Sequence, residues 1–119
     1  MAVKVFDSEL RVMEVLWREG DLTAGQLAKM LKEHTGWNRN TTYTVIKKLI
    51  DKGAVERYGP KFCCRAVITK EQVQQHEASE LISKLFDGSG SAFLSAFISG
   101  NELSEQEIEG LKQLVESLK

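Results

Sequence analysis

The sequence predicts a mainly α protein with one small β-hairpin, and two observations predict it. Through most of the chain, apolar residues recur every three or four positions, which is the spacing of an amphipathic helix. Between residues 55 and 68 this spacing gives way to alternation, interrupted by the turn residues Gly59, Pro60 and Lys61. The expected order is therefore three helices, a hairpin and then further helices.

Two helices are expected in the first 36 residues. The first runs from Asp7, a candidate N-cap, to Arg18, and Gly20 ends it. The second begins at a capping box, in which Thr23 and Gln26 satisfy each other's backbone N–H groups. It closes at residues 34–36.

The third helix begins at about Asn38 or Asn40 and ends at Lys52, with Gly53 as the stop. One side of it is suited to packing on the other helices, because its members recur at helical spacing. That side consists of Thr42, Val45, Ile46 and Leu49.

The hairpin is followed by three more helical segments. The first runs from Glu71 to about Phe86, and a small Gly/Ser-rich break at residues 87–91 follows it. The next carries a one-sided apolar stripe and ends at residues 100–101. A capping box at Ser104 and Glu107 opens the last helix, whose apolar residues form an a/d seam over two heptads.

These patterns divide the chain into a front domain at residues 1–70 and a helical rear domain at residues 71–119. The 49 rear residues are too few to bury much apolar surface by themselves, so their stripes must cover something else. They pack either on the front domain or on a second copy, and the seam favours a dimer. The candidate dimerisation residues are Leu81, Leu85, Phe93, Phe97, Ile108, Leu111, Val115 and Leu118.

The net charge of −1 hides an asymmetry between these two parts. Residues 1–70 carry 13 basic and 8 acidic residues, whereas residues 71–119 carry 3 basic and 9 acidic residues. The front part therefore has a net charge of +5 and the rear part −6. A basic front part can bind a polyanion through phosphate contacts. The alternative is an unevenly charged surface that only faces water.

Three helices followed by a hairpin is the order of a winged helix-turn-helix, in which the third helix reads DNA. Its outer face offers Asn and Arg for base edges, Thr for thymine methyls or phosphates, and Lys for phosphates. The alternative is an ordinary amphipathic helix with a solvated polar face. The candidate DNA-binding residues on this helix are Asn38, Arg39, Asn40, Thr41, Tyr43, Thr44, Lys47 and Lys48.

The hairpin carries three basic residues, Arg57, Lys61 and Arg65, and the aromatic Tyr58. A basic hairpin beside a recognition helix is expected to act as a wing that follows the DNA backbone or enters the adjacent minor groove. The alternative is an exposed hairpin that contacts nothing.

Several classes of site receive no support from the sequence. No catalytic motif, phosphate-binding loop or metal-ligand cluster occurs, so no enzyme, cofactor or metal is expected. Cys63 and Cys64 are neighbours on a predicted strand and point to opposite faces, one inward and one outward. His34 and His76 are expected to be surface residues. No membrane span or signal peptide is recognisable, and a cytoplasmic location is expected.

Three stretches carry a resemblance to a known family. Residues 8–17, SELRVMEVLW, resemble the first helix of the penicillinase-repressor family, the BlaI/MecI-type regulators. Residues 37–53, WNRNTTYTVIKKLIDKG, resemble that family's recognition helix, with its leading Trp and closing Lys-Gly. Residues 101–111, NELSEQEIEGL, are similar to its C-terminal dimerisation helix.

The resemblance implies a homodimeric repressor on a palindromic operator, usually that of resistance genes. It also implies a membrane-bound sensor protease as partner, which cleaves an Asn-Phe bond in the dimerisation region of the best-known members. The matching bond here is Ala96-Phe97, so the Phe is kept and Ala replaces the Asn. The paired Cys-x-Cys of copper-responsive relatives is absent, since Cys64 is the last cysteine.

The sequence thus favours a winged-helix transcriptional repressor that acts as a homodimer and blocks RNA polymerase by occupying an inverted repeat. Two alternatives stay open. One is a ligand- or redox-responsive winged-helix regulator of another family, with a pocket between the domains or a reactive Cys64. The other is a winged-helix adaptor that binds protein and no nucleic acid.

Overall fold

A computed structural model of the chain describes residues 3–100 and 103–117, with side chains to residue 113. The order of elements confirms the mainly α prediction with three helices, a hairpin and three further helices. The elements are α1 Asp7–Glu19, β1 Leu22–Thr23, α2 Ala24–Thr35, α3 Arg39–Asp51, β2 Val55–Tyr58, β3 Cys63–Ala66, α4 Lys70–Leu85, α5 Gly90–Gly100 and α6 Glu105–Ser117.

The start of α1 differs from the prediction. Asp7 is the first helical residue rather than the N-cap, and Phe6 holds the cap position without a side-chain cap. The Phe6 backbone N–H instead donates to Glu9 Oε1 at 2.9 Å. The carboxylate three residues into the helix therefore satisfies the backbone at its start, which the capping preference of Asp alone did not show.

The start of α2 follows the predicted capping box, and α3 begins at the earlier of its two predicted starts. Thr23 and Gln26 form the reciprocal capping box of α2, with hydrogen bonds of 2.9 and 3.1 Å. Gly36, at φ 78°, ends this helix in the left-handed region, where a residue without Cβ is unstrained. Asn38 caps α3 by accepting from the Thr41 N–H at 2.8 Å, so the later of the two predicted starts was wrong.

The β-structure is a three-stranded antiparallel sheet with the order β1-β3-β2. The predicted hairpin is present, and in it Val55 pairs with Ala66 and Tyr58 with Cys63. Strand β1, which pairs Leu22 with Cys64, was not predicted from the sequence. A two-residue strand between two helices shows no alternation of its own, so only its partner strand reveals it.

The core lies between α1, α2, α3 and the sheet. It includes the four predicted residues on the inner side of α3, and Met13 of α1 and Leu27 and Leu31 of α2 are almost fully buried. The Trp17 Nε1–H donates to the Ile68 backbone carbonyl at 3.0 Å, which joins α1 to the segment after the hairpin. These contacts fix α3 with its opposite face outward.

The chain separates into two compact units, residues 1–77 and 78–119. This division falls within α4, later than residue 70, because Val73 is buried in the core of the first unit. In the second unit, none of the described side chains is buried. Its described aromatic contacts join Phe86 to Phe93 at 5.6 Å and Phe93 to Phe97 at 6.0 Å between ring centroids.

The second unit keeps the capping box predicted for its last helix. The Glu107 N–H donates to Ser104 Oγ at 3.1 Å, and the Ser104 N–H donates to the Glu107 carboxylate at 3.3 Å. Ile108 and Leu111 of the predicted seam are half-buried. The Val115 side chain and all of Leu118 lie outside the described residues. Within the described part of the chain, no helix has both the length and the apolar character needed to span a membrane.

Candidate nucleic-acid interface

The two faces of α3 have opposite environments. Thr42, Val45, Ile46 and Leu49 are buried against the rest of the first unit. Of the eleven side chains predicted to meet DNA, ten are exposed and only Tyr43 is half-buried. The exposed ten are Asn38, Arg39, Asn40, Thr41, Thr44, Lys47, Lys48, Arg57, Lys61 and Arg65.

Asn38 has a structural task besides any contact with a base. Its Oδ1 accepts the Thr41 N–H, so the amide oxygen is used at the start of α3 and the NH₂ group is left to donate outward. Thr44, one turn further on, donates its hydroxyl to the Asn40 carbonyl at 2.9 Å. Both hydrogen bonds orient short polar side chains at the N-terminal end of the helix.

Arg39 is held in a defined orientation at the first position of α3. Its guanidinium lies 4.8 Å from the centroid of the Tyr43 ring, and Nη2 donates to the Tyr43 hydroxyl at 2.8 Å. A guanidinium has five N–H donors, so this contact leaves donors for a base edge or a phosphate. The contact reduces the number of conformations that Arg39 must lose on binding.

Phe62 joins α3 to the hairpin. Its ring meets the Tyr43 ring edge to face, with centroids 5.9 Å apart and planes at 88°. On the hairpin, the Arg57 guanidinium lies 3.8 Å from the Phe62 centroid. No role for Phe62 was predicted from the sequence. Its bulk at the end of a Gly-Pro turn was the only signal that could have found it.

A concavity of about 510 Å³ lies beside this contact, between α3 and the hairpin. Besides the two aromatic residues, it is lined by Thr44, Lys47, Ile50, Asp51 and Arg57. Basic groups from both the helix and the hairpin therefore border one groove of the first unit.

Arg65 and Tyr58 sit on the hairpin with acidic partners. Arg65 Nη2 lies 2.6 Å from Glu56 Oε2 across the two strands, and this hydrogen bond raises the pKa of Arg65. The Tyr58 hydroxyl donates to Asp21 Oδ2 at 2.6 Å, which raises the pKa of Tyr58 to about 12. Lys61, at the turn, is exposed.

Lys52 is engaged in an ion pair within the first unit. Its Nζ donates to Glu9 Oε1 at 2.6 Å and to the Lys4 carbonyl at 2.9 Å. The Glu9 side chain is only 3% exposed. This ion pair ties the end of α3 to the start of α1 across 43 residues, a distance over which sequence spacing has no predictive value.

The two cysteines behave as their positions on a strand predicted. Cys64 is fully buried and Cys63 half-buried. Burial raises the pKa of the Cys64 thiol to about 11. A buried thiol with little thiolate is a poor nucleophile, so the burial of Cys64 argues against the redox alternative. The described residues hold no cluster of three or more metal-ligating side chains.

Among curated proteins, repressors align with this chain over almost its whole length. The penicillinase repressor of Bacillus licheniformis is 25% identical over 98% of this chain and 92% of that protein. The methicillin resistance regulatory protein MecI of Staphylococcus aureus strain N315 is 21% identical over 94% of this chain and 93% of its own length.

Solved structures of DNA-binding repressors resemble part of this chain. The DNA-binding domain of the repressor BlaI matches 60% of this chain and 90% of that domain, with a TM-score of 0.56 and 26% identity. The Bacillus licheniformis BlaI monomer in complex with the blaP half-operator matches with the same coverage, a TM-score of 0.53 and 27% identity. Both neighbours confirm the winged-helix fold.

The family match extends beyond the DNA-binding fold. Residues 6–117 match the penicillinase repressor family, which includes α4, α5 and α6 as well as the first unit. Its relatives are transcriptional repressors rather than enzymes. The chain therefore belongs to the penicillinase repressor family.

Proposed function

We propose that this chain represses transcription by binding a palindromic operator as a homodimer. The observation that carries the proposal is the division of α3 into a buried apolar side and an exposed side of Asn, Arg, Thr and Lys. A helix held in this way can enter the major groove, because the core fixes it from behind and leaves its polar side chains free to meet base edges.

The residues of α3 divide naturally into two tasks. Arg39 and Asn40 lie at the N-terminal end, which is the part of a recognition helix that contacts base edges. Both types can form paired hydrogen bonds, Arg with guanine and Asn with adenine. Lys47 and Lys48 lie about two turns later and suit phosphates, which set orientation and affinity rather than sequence preference.

The hairpin completes the interface as a wing. Arg57 and Lys61 are exposed on its outer strand and turn, and Arg65 lies across from Glu56. We assign Arg57 and Lys61 to phosphates beside the groove occupied by α3. A relative of the same fold was solved in complex with a half-operator, which supports DNA binding by this fold.

Dimerisation is inferred from the second unit. None of its described side chains is buried, and Leu85 and Leu81 are 63% and 41% exposed. An apolar surface of this kind is stabilised when another surface covers it. A second copy is the proposed partner, because the residues of the predicted seam recur at heptad spacing, and two copies give the two half-sites of an inverted repeat.

Repression would then follow from occupancy, since a dimer on an operator excludes RNA polymerase from the same DNA. A protein acting in this way works beside the chromosome, so a cytoplasmic location is part of the proposal. Relatives are named as regulators of penicillinase and of methicillin resistance, and we propose that this chain also controls resistance genes.

A sensor protease is the remaining partner that we propose, with the Ala96-Phe97 bond as its site. Both residues lie within α5 and are exposed. A protease needs extended backbone, so α5 must unwind locally before cleavage. Co-expression with a family sensor protease tests this, with Ala96→Asn as the variant that restores the family bond. Cleavage of neither chain would contradict the proposal.

DNA binding is tested by selecting genomic fragments with the purified chain at a stated salt concentration. We expect one enriched inverted repeat, and the combined change Arg39→Ala and Lys47→Ala should abolish its binding. The matched control removes two exposed basic residues from the second unit, Lys84→Ala and Lys112→Ala, and should bind normally. No enrichment would indicate an adaptor that binds no nucleic acid. Equal binding by both variants would contradict the assignment of Arg39 and Lys47 to the DNA interface.

Dimerisation is tested separately by light scattering across a range of concentrations. Leu85→Glu introduces a charge on the proposed covered surface and should shift the chain toward monomer. Val67→Glu makes the same change at a residue of the first unit that is 53% exposed, and should leave the dimer intact. A wild-type chain that is monomeric at every concentration would contradict the homodimer.

A further inference from the structure

Phe62 was not among the predicted DNA-binding residues, yet it links the two parts of the predicted interface, α3 and the hairpin. We define the aromatic bridge as Arg39, Tyr43, Phe62 and Arg57, in the order in which they touch. Their successive separations are 4.8, 5.9 and 3.8 Å between guanidinium carbons or ring centroids. The bridge therefore runs without a gap from the start of the recognition helix to the wing.

Phe62 adopts a backbone conformation that a bulky residue avoids. Its φ is 56°, in the left-handed region. Such a conformation persists only when the surrounding structure holds it. Here the Ala24 N–H donates to the Phe62 carbonyl at 2.9 Å, and the ring lies between Tyr43 and Arg57. The strained backbone is thus combined with a side chain that contacts both DNA-facing elements.

We propose that Phe62 is a positioning residue that sets the spacing between the recognition helix and the wing; this deepens the proposed DNA binding and rests on it. β1 pairs with β3 as far as Thr23–Cys63, and the Tyr58 hydroxyl is hydrogen-bonded to Asp21, so the turn at residues 59–61 is the part of the hairpin that lies beyond these contacts. The edge-to-face contact with Tyr43 attaches the end of the hairpin to α3 at a fixed distance. Arg57 and Lys61 then face the DNA backbone in one arrangement when the helix enters the groove.

The same bridge orients a guanidinium at each end. Cation–π contact places Arg57 over Phe62 and Arg39 over Tyr43. Loss of the Phe62 ring removes the support of Arg57 directly and that of Tyr43 at one edge. The expected consequence is that wing contacts with phosphates weaken, while the base-edge residues of α3 stay in place.

The experiment measures wing order and DNA binding independently. Without DNA, the heteronuclear NOE of the Gly59 and Lys61 amides reports fast motion of the turn. In the wild type these values should match those of α3, and Phe62→Ala should lower them. Phe62→Tyr keeps the ring and should restore them. Phe62→Gly relieves the strained φ as well as removing the ring, so it keeps the test usable if Phe62→Ala is unstable.

Binding to a fluorescein-labelled random-sequence duplex is measured at several salt concentrations. Each phosphate contact contributes about 0.9 to the slope of log affinity against log salt, so loss of the two wing contacts should reduce the slope by about 1.8. Phe62→Ala should reproduce the slope of the combined Arg57→Ala and Lys61→Ala change, and adding it to that change should have no further effect.

The outcomes separate the inference from the function on which it rests. A wild-type chain that binds no duplex contradicts the proposed function, whereas the amide measurements still decide whether Phe62 orders the wing. Turn amides as rigid in Phe62→Ala as in the wild type, or an unchanged salt slope, would overturn the inference. A melting temperature that falls with no change in amides or slope would assign Phe62 to stability alone.

Discussion

Thr42 and Thr44 lie on opposite sides of α3, so the same substitution at each of them tests which face of the helix meets DNA. Thr42 is fully buried, and its Oγ1 has no hydrogen-bond partner among the described residues. Thr44 is exposed and donates to the Asn40 carbonyl. Valine has nearly the shape and helix propensity of threonine, so Thr→Val at either position changes little besides the hydroxyl.

Thr42→Val should stabilise the chain, because it removes a buried polar group that has lost its water. Leaving such a group unpaired costs about 1–3 kcal/mol, and the gain is expected at the lower end, about 1 kcal/mol. For the first unit of 77 residues, this corresponds to a rise in melting temperature of about 4–8 °C. Affinity for the selected operator should stay unchanged, since the side chain faces the core.

Thr44→Val should leave stability almost unchanged and weaken operator binding. Its effect on stability should be less than about 0.5 kcal/mol, as for other exposed positions, while operator affinity falls by about tenfold through the loss of one contact. Thermal melts followed by circular dichroism and fluorescence anisotropy with the selected duplex measure both quantities. If Thr42→Val weakens binding while Thr44→Val does not, the assignment of the two faces is refuted.

Three further predictions concern contacts that hold the first unit together. Lys52→Met leaves the Glu9 carboxylate, 3% exposed, without its cation, and should destabilise the chain by about 3 kcal/mol in urea denaturation; a change below about 1 kcal/mol would contradict this. The Asp21 hydrogen bond keeps the Tyr58 proton in the folded chain, so the stability that it contributes is complete below pH 10 and is lost as the pH rises from about 10 to about 12. Ultraviolet titration should show this late ionisation in the wild type and not in Tyr58→Phe. The thiol of Cys64, with a pKa of about 11, should react with a disulfide reagent at neutral pH only after denaturation, and reaction in the folded chain would reopen the redox alternative.

The helices were predictable because their signals are local. The apolar spacing of α3 identified the four residues that the structure buries, and the capping boxes at Thr23 and Ser104 marked helix starts that the structure keeps. Backbone hydrogen bonds within a helix join residues four apart, so the sequence itself contains both partners. The start of α1 was wrong because Asp7 competed with a carboxylate at Glu9 that a distant lysine also holds.

Which residues form the candidate interface could be predicted from the sequence, whereas the contacts that they make with one another could not. Residue type and helical spacing identified the exposed side of α3 and the basic hairpin. The structure adds that Asn38 is a cap, that Arg65 faces Glu56, and that Phe62 joins the helix to the wing. Those facts depend on which elements lie side by side, and a residue's type shows only what it can contact.

The order of the helices, the buried side of α3 and the uneven charge along the chain were all predictable from residue types and their spacing over a few positions. Strand β1, the Glu9–Lys52 ion pair and the contact of Phe62 with Tyr43 became visible only once the elements were packed together. These features join residues between 19 and 43 positions apart. Such pairs form because packing of the core brings their elements together, and no spacing along the chain encodes that distance.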